Sequence, residues 1–557
     1  MAAQHYKKLG ELLVDFNFIS PAQLEDAIKH QKESDKRLGE ILIELNYVSA
    51  DDLIQVLEFQ LGVPHVKLSN YIFDPQLAHF IPEHLAKRHN VIALEKKGNR
   101  LLVAMSDPSN LLAIDDLEMT SGLKIEPRIA ILEEIKTAIN QVYSIGEEDT
   151  TDIIASLDDY QSSDEPELDK LKEMVEDAPI VKLTNRIITQ ALQARASDIH
   201  IEPQENGVRI RYRIDGVLRE IMKTPKYSQA ALISRLKIIA DLDITKRRIP
   251  QDGRIAITVN EIKVDLRVST LPTVFGEKVV IRLLTKDSNL INIEKLGFND
   301  NNVQRFKGLI EQPHGILLVT GPTGSGKSTT LFAALNNLNS PEKNIVTVED
   351  PVEYQIGGVN QIQANKKTGL TFASALRSIL RQDPDIVMVG EIRDEETARI
   401  AVRASLTGHL VLSTLHTNDA ASSITRLIDM GIEPYMAAST IIGVVAQRLI
   451  RRLCKSCKVS YEPSADELTL LKGDPEGKFY KAKGCPKCNN TGYKGRIAVH
   501  EVLIVDEKLK EYISKDAGEQ TLKNYSKEHG MTTLMEDGIA KFRQGITSYE
   551  EIIRVLI

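Results

Sequence analysis

The chain has 557 residues, 42% of them hydrophobic and 27% charged, with a formal net charge of −8. At about 100–200 residues per domain this length predicts three or four domains, and the composition excludes a fibrous, collagen-like or wholly disordered chain. Residues 146–177 hold 13 acids and two lysines, a net of −11, which leaves +3 for the remainder and so no broad basic surface of the kind that binds nucleic acid nonspecifically.

The first feature in chain order is a repeat. Residues 8–31 align without gaps to 37–60, with eight of 24 positions identical, among them Leu9/Leu38, Gly10/Gly39, Asn17/Asn46, Ser20/Ser49 and Gln31/Gln60. Each unit reads as a short helix, a turn at the Asn, then a Ser cap opening a second helix. The pair, residues 1–62, should bury its apolar faces mutually or against something else. Residues 63–145 alternate strands (NVIALEKK, RLLVAMSD) with helical patterns, which predicts a small α/β domain. Residues 146–178 form an acidic linker with too little apolar content to bury. Residues 179–290 predict a further α/β unit, with strands VRIRYRI, RIAITV, KVDLRVST and KVVIRLL. Across 301–557, the runs GILLVTG, NIVTVED, DIVMVGE and HLVLSTLHT each feed a helix. That alternation predicts a parallel sheet with helices on both faces and a ligand beyond the carboxyl ends of its strands. No window approaches the roughly 18–20 apolar residues of a membrane span; the best, Met436 to Ala446, is short. The N-terminus lacks the apolar core of a signal peptide, so a cytoplasmic location is expected, with any membrane reached through partners.

Gly321-Pro322-Thr323-Gly324-Ser325-Gly326-Lys327-Ser328 matches G-x-x-x-x-G-K-[ST], with an apolar strand before it and a helical stretch from Thr329 after it. Such glycines let backbone N–H groups turn onto phosphate oxygens, and the new helix adds its positive end. Lys327 is placed for the β- and γ-phosphates and the Ser328 hydroxyl for Mg²⁺. Downstream strands end in Glu349, in Glu391 and between His409 and His416, groups able to orient water, hold a metal or sense charge. Cys454-Lys-Ser-Cys457 and Cys485-Pro-Lys-Cys488, 27 residues apart, suit one tetrahedral Zn²⁺ with no position open for catalysis.

The sequence resembles the secretion ATPases of type IV pilus assembly and type II secretion over essentially its whole length. The P-loop, VEDPVEY, DIVMVGEIRD and TGHLVLSTLHTND follow in the family's order, preceded by ARASDIHIEP, PQDGRI and DLRVSTLP. The resemblance implies a RecA-like P-loop core, a preceding PAS-like α/β domain and a zinc-knuckle insertion at 450–495 that marks assembly motors. It implies a hexamer that hydrolyses ATP with Mg²⁺ and drives pilin polymerisation through an inner-membrane platform protein. By the same resemblance Glu349 is the general base, Glu391 holds Mg²⁺ or its water, and His409 and His416 sense the γ-phosphate. Arg213, Arg219, Arg254, Arg267 and Arg282 stand in matching motifs of the preceding domain. Arg267 and Arg282 are expected to reach a neighbour's γ-phosphate, although a strand alternating Arg with apolar residues also reads as a solvated face. The repeats resemble the cyclic-di-GMP-binding N-terminal module of MshE-type ATPases, whose units open with Arg-Leu-Gly and close with Gln. Arg37, Leu38, Gly39 and Gln60 fit; Lys8, Leu9, Gly10 and Gln31 fit apart from Lys8, and Asp107 is a further candidate for a guanine edge. A helical docking module without ligand is the alternative there. For the chain as a whole the rivals are a pilus-retraction motor, a nucleotide-dependent scaffold without turnover and, against the charge balance, a nucleic-acid translocase.

Overall fold

The computed structural model describes residues 7–32, 37–68, 71, 73, 75–144, 178–259, 262–285, 292–471 and 476–557. Two compact units divide the chain, Met1–Lys286 and Asp287–Ile557. The acidic linker expected at 146–178 lies, but for Ala178, outside the described residues.

In the first unit each repeat folds as a helix pair, Leu9–Asp15 with Pro21–Lys32 and Leu38–Glu44 with Ala50–Leu61. The predicted turns are present: Asn17 and Asn46 take φ of 61° and 54°, the left-handed region that Asn tolerates better than most side chains. The two repeats bury Leu13, Ala27, Leu42 and Val56 in a common core. Their matching glycines allow this: a Cβ on Gly10 would stand 2.5 Å from Leu24, and one on Gly39 would stand 2.9 Å from Leu53.

A small three-stranded sheet follows, with β1 (Val91–Lys97) antiparallel to β2 (Arg100–Met105) and β2 parallel to β3 (Lys124–Ile129). Beyond the linker, β4 (Asp198–Gln204), β5 (Gly207–Ile214), β6 (Val217–Thr224), β7 (Gln251–Val259), β8 (Ile262–Thr273) and β9 (Gly276–Thr285) form an antiparallel sheet in the order β6-β5-β4-β9-β8-β7. Alternation along the strands sends Ile199, Ile210, Tyr212, Leu266 and Ile281 into a core shared with helices Ala178–Gln193 and Gln229–Ile239. The arginines between them fall on the opposite face.

The second unit is built on a seven-stranded sheet in the order β12-β11-β13-β14-β10-β15-β18. Its strands are β10 (Gly315–Thr320), β11 (Ile345–Glu349), β12 (Asn360–Gln363), β13 (Ile386–Val389), β14 (Leu410–Leu415), β15 (Ile441–Leu453) and β18 (Tyr493–Ile504); a small pair, β16 (Val459–Ser460) and β17 (Tyr480–Lys481), lies between β15 and β18 in sequence. Every neighbouring pair in the large sheet is parallel except β15 and β18. Ile316 and Leu318 of β10 face one core, Leu317 and Val319 the other, which is why the strand reads as a continuous apolar run. The Met436 to Ala446 stretch divides between the helix Pro434–Thr440 and the start of β15. Among the described residues no helix is long and apolar enough to cross a membrane.

Candidate active site and metal centre

The phosphate loop leaves the fully buried β10 at Thr320. Gly321, Gly324 and Gly326 hold φ of 146°, 78° and 90°, and a Cβ on Gly321 would stand 2.4 Å from the Gln447 carbonyl oxygen. Glycine is required there by backbone conformation and by space alike. The helix Lys327–Leu338 starts at once, with Ser328 exposed in its first turn. Lys327 Nζ donates to the carbonyl oxygens of Gly321 (2.8 Å) and Pro322 (3.2 Å). Burial lowers this ammonium to about 8, against the attraction of Glu391.

The parallel order β11-β13-β14-β10 brings the predicted acids to the same edge as the loop. Glu349 ends β11 and is 4% exposed; it accepts hydrogen bonds from Thr347 Oγ1 (2.7 Å) and Gln361 Nε2 (3.0 Å). Burial outweighs those donors and lifts its carboxyl above the ordinary range. Glu391, just past β13, pairs with Arg393 Nη2 at 2.6 Å and lies 3.6 Å from His416 Nε2. Burial and the nearby Lys327 both lower His416, favouring its neutral form. His409 stands apart from this group. It precedes β14, so it stands at the amino end of a strand whose carboxyl end faces the loop, about 20 Å away at 3.3 Å per residue. There its Nδ1 meets the Ala404 carbonyl oxygen at 2.8 Å. One strand separates the two histidines, and it does not bring His409 to the phosphate loop of its own chain.

In the six-stranded sheet the register sets Arg254 opposite Arg267, Arg267 opposite Arg282, Arg282 opposite Asp198 and Asp198 opposite Arg213. Directly opposed residues share a face, so four predicted arginines form one row with a single buried carboxylate in it. Asp198 takes Arg282 Nε at 3.1 Å and Arg213 Nε at 3.4 Å. Arg219 is outside the row: it opposes Tyr212, on the other face.

The four cysteine sulfurs lie within 4.8 Å of one another. Cys454–Cys485, Cys457–Cys488 and Cys485–Cys488 are separated by 3.9, 3.8 and 3.7 Å. Four thiolates about 2.3 Å from a tetrahedral zinc would stand about 3.8 Å apart, so the cluster fits the ion. Backbone N–H groups of Cys485 and Gly492 reach Cys488 Sγ, both at 3.2 Å, and support its thiolate against the cost of burial.

Among the repeat residues, Arg37 Nη1 pairs with Asp107 Oδ2 at 2.8 Å, joining two candidates that the sequence held apart. Burial raises Asp107, but Ser109 and Arg37 outweigh it and hold the carboxyl low. Lys8 and Arg37 hold equivalent positions, each preceding its helix and each receiving a Glu from the first turn on its backbone N–H. Gln60 Nε2 donates to the Lys7 carbonyl oxygen at 3.1 Å, bringing the end of the second repeat to the start of the first. Leu9, Leu38, Gly10 and Gly39 open the first helices of the two repeats, and Gln31 lies near the end of the second helix.

Sequence reasoning missed Gln447 and Arg448. Gln447 Nε2 donates to the Ser325 carbonyl oxygen and its Oε1 accepts from Thr330, both at 2.7 Å, clamping the phosphate loop from β15. The available signal was a polar pair inside an apolar run of strand length, IIGVVAQRLI.

The family model described as "Type II/IV secretion system protein" matches residues 173–554. The chain belongs to this family. A type IV pilus assembly ATPase PilB of Myxococcus xanthus is 44% identical over 555 residues, covering 98% of each chain. A type II secretion system ATPase E of Vibrio cholerae is 50% identical over 430 residues, 76% of this chain and 85% of that one. Among solved structures, the Yersinia pseudotuberculosis ATPase DotB superposes with a TM-score of 0.51 at 20% identity, covering 67% of this chain and 92% of that chain, a likeness of fold. As a member of the Type II/IV secretion family the chain is a P-loop ATPase. A second family model, the MshEN domain, matches residues 61–149, which is the small α/β unit and not the helical repeats.

Proposed function

We propose that this protein is a hexameric motor, working at the cytoplasmic side of an inner membrane, that hydrolyses ATP to power pilin polymerisation in type IV pilus assembly or type II secretion. The observation that carries this reading is the meeting of Lys327, Glu349, Glu391 and His416 with the phosphate loop at one edge of a parallel sheet. Main-chain N–H groups of residues 324–328 and the Lys327 ammonium bind the phosphates. Ser328 and Glu391 would hold Mg²⁺, which when bound neutralises phosphate charge. Glu349, with its carboxyl raised by burial, orients the attacking water and accepts its proton. His416 bridges Glu391 to the region of the γ-phosphate. Arg267 and Arg282 serve the site of a neighbouring subunit, and an inner-membrane platform protein takes up the stroke. The cysteine cluster supports the assembly role over retraction.

Lys327→Ala should lose nucleotide binding, whereas Glu349→Gln should bind ATP and not turn it over, measured by equilibrium binding and phosphate release. Near wild-type turnover by Glu349→Gln with ATP trapped on Glu391→Gln would exchange the two roles. A wild-type protein without turnover at any concentration would leave only a scaffold.

Cyclic-di-GMP is the proposed effector, held by the Lys8–Gly10 and Arg37–Gly39 openings with Gln31 and Gln60. A guanidinium can fork onto a guanine edge where an ammonium cannot. Arg37→Ala should therefore weaken binding by about 1–3 kcal/mol, more than Lys8→Ala does. Calorimetry on the full chain showing no heat at high micromolar ligand leaves the repeats as a docking module.

A further inference from the structure

β15 runs parallel to β10 and outlasts it. The register pairs Thr320 with Ala446, so Gln447 and Arg448 continue beside the phosphate loop after β10 has ended. The Arg448 guanidinium is half-buried, and among the described residues its hydrogen-bond acceptors are neutral. Nη1 donates to the Gln447 carbonyl oxygen at 3.1 Å, and Nη2 donates to Asn418, to the carbonyl oxygen at 2.9 Å and Oδ1 at 3.3 Å.

Among the described residues no carboxylate stands within ion-pair distance of Arg448. The acids that attract it from farther off are Asp419, itself paired with Lys523 at 2.7 Å, and Glu501, which accepts from the Ala420 N–H at 2.9 Å. A Cβ placed on Gly321 would stand 3.2 Å from Arg448 Nη1, and Lys327 Nζ already donates to the oxygen of that same glycine. Two cations thus flank the first residue of the loop closely enough for Arg448 to push the Lys327 ammonium down. Glu391, the acid that attracts Lys327, is shared with Arg393. A partly buried, uncompensated charge is costly unless something of opposite sign arrives.

We propose that Arg448 is a phosphate-binding residue of the nucleotide site, gripping the terminal phosphates with one arm of its guanidinium while the other holds Asn418, two residues beyond His416. The inference rests on the reading of the phosphate loop as a nucleotide site. A planar guanidinium suits both tasks at once, because its donors diverge from a single rigid plane. Thr417 is held from the opposite side, its Oγ1 lying 2.7 Å from Thr320 Oγ1 at the end of β10. Occupation of the loop would therefore be felt directly by the segment that follows the site histidine.

The test is equilibrium binding of fluorescent ATP, ADP and AMP to the full-length protein with Mg²⁺, comparing wild type, Arg448→Gln and Arg448→Lys, with thermal melting as the control of folding. Arg448→Gln should weaken ATP by about 10- to 100-fold, the range of a charge-assisted contact, ADP by less and AMP hardly at all. Arg448→Lys, which keeps the charge, should lose less and keep the same order. Where Arg448→Gln does not fold, Arg448→Lys carries the test alone. Equal weakening of all three nucleotides, or none, overturns the proposal, since a residue that merely shapes the loop would not count phosphates. A wild-type protein that binds none of the three overturns the nucleotide-site reading first, which separates the two failures.

Discussion

Lys327 shows how one buried side chain makes a site sensitive to pH. Its ammonium is lowered to about 8 by burial, and phosphate oxygens favour the charged form, so binding raises it again. Below about pH 8 the cation is already present and affinity should be level. Above it, binding must first take up a proton, and the ATP dissociation constant should rise by up to tenfold per pH unit. Calorimetry at pH 9 in buffers of different ionisation enthalpy should register that uptake; affinity unchanged to pH 10 would contradict it. Lys327, Ser328 and the cysteines were legible in the sequence because their ligand sets are local in the chain. The position of His409 was not, because it depends on which end of β14 faces the loop. Arg448 was not either, because more than a hundred residues and a strand crossover separate it from Gly321.

The antiparallel β15–β18 pair runs from the phosphate loop to the cysteine centre. Near the loop it carries Gln447 and Arg448, and at its far end Leu453 runs straight into Cys454, whose N–H donates to the Gly492 carbonyl oxygen at 2.8 Å. A zinc ion would fasten that far end and fix where β18 begins. Protein purified without chelator should contain one zinc per chain, and Cys485→Ser should lose it. Hydrogen exchange should then show protection lost across 454–493, while β10, β11, β13 and β14, buried on both faces, stay protected. Finding no metal by elemental analysis would refute the site. The cysteine spacing announced this centre, but the strands it joins were harder to see. β15 opens on a run that looked merely apolar, because a strand buried on both faces has no alternation to betray it. β18 alternates between half-buried and exposed only over residues 493–497, and from Ala498 to Leu503 it is buried throughout.

At the scale of the whole molecule, the arginine row belongs to one compact unit and the phosphate loop to the other. The parallel core and the repeats could be read from periodicity, since each is a property of a continuous segment. Which chain's arginines serve which loop is a property of an assembly, and no single sequence encodes it locally. Arg282 is the better probe, being 58% exposed and paired with Asp198 at 3.1 Å. If it acts across an interface, neither Lys327→Ala nor Arg282→Ala subunits should hydrolyse ATP alone, yet a mixture should. Random assembly of equal amounts leaves about a quarter of interfaces with an intact loop facing an intact arginine, so activity should recover to at most about a quarter of wild type. Were the arginine to serve its own chain's site, every subunit in the mixture would keep a defect and nothing would recover. Turnover measured across mixing ratios decides between these, and recovery should peak at equal amounts and vanish at both extremes. Absence of recovery at every ratio, with mixed assemblies shown to form, would place the arginine in its own chain's site.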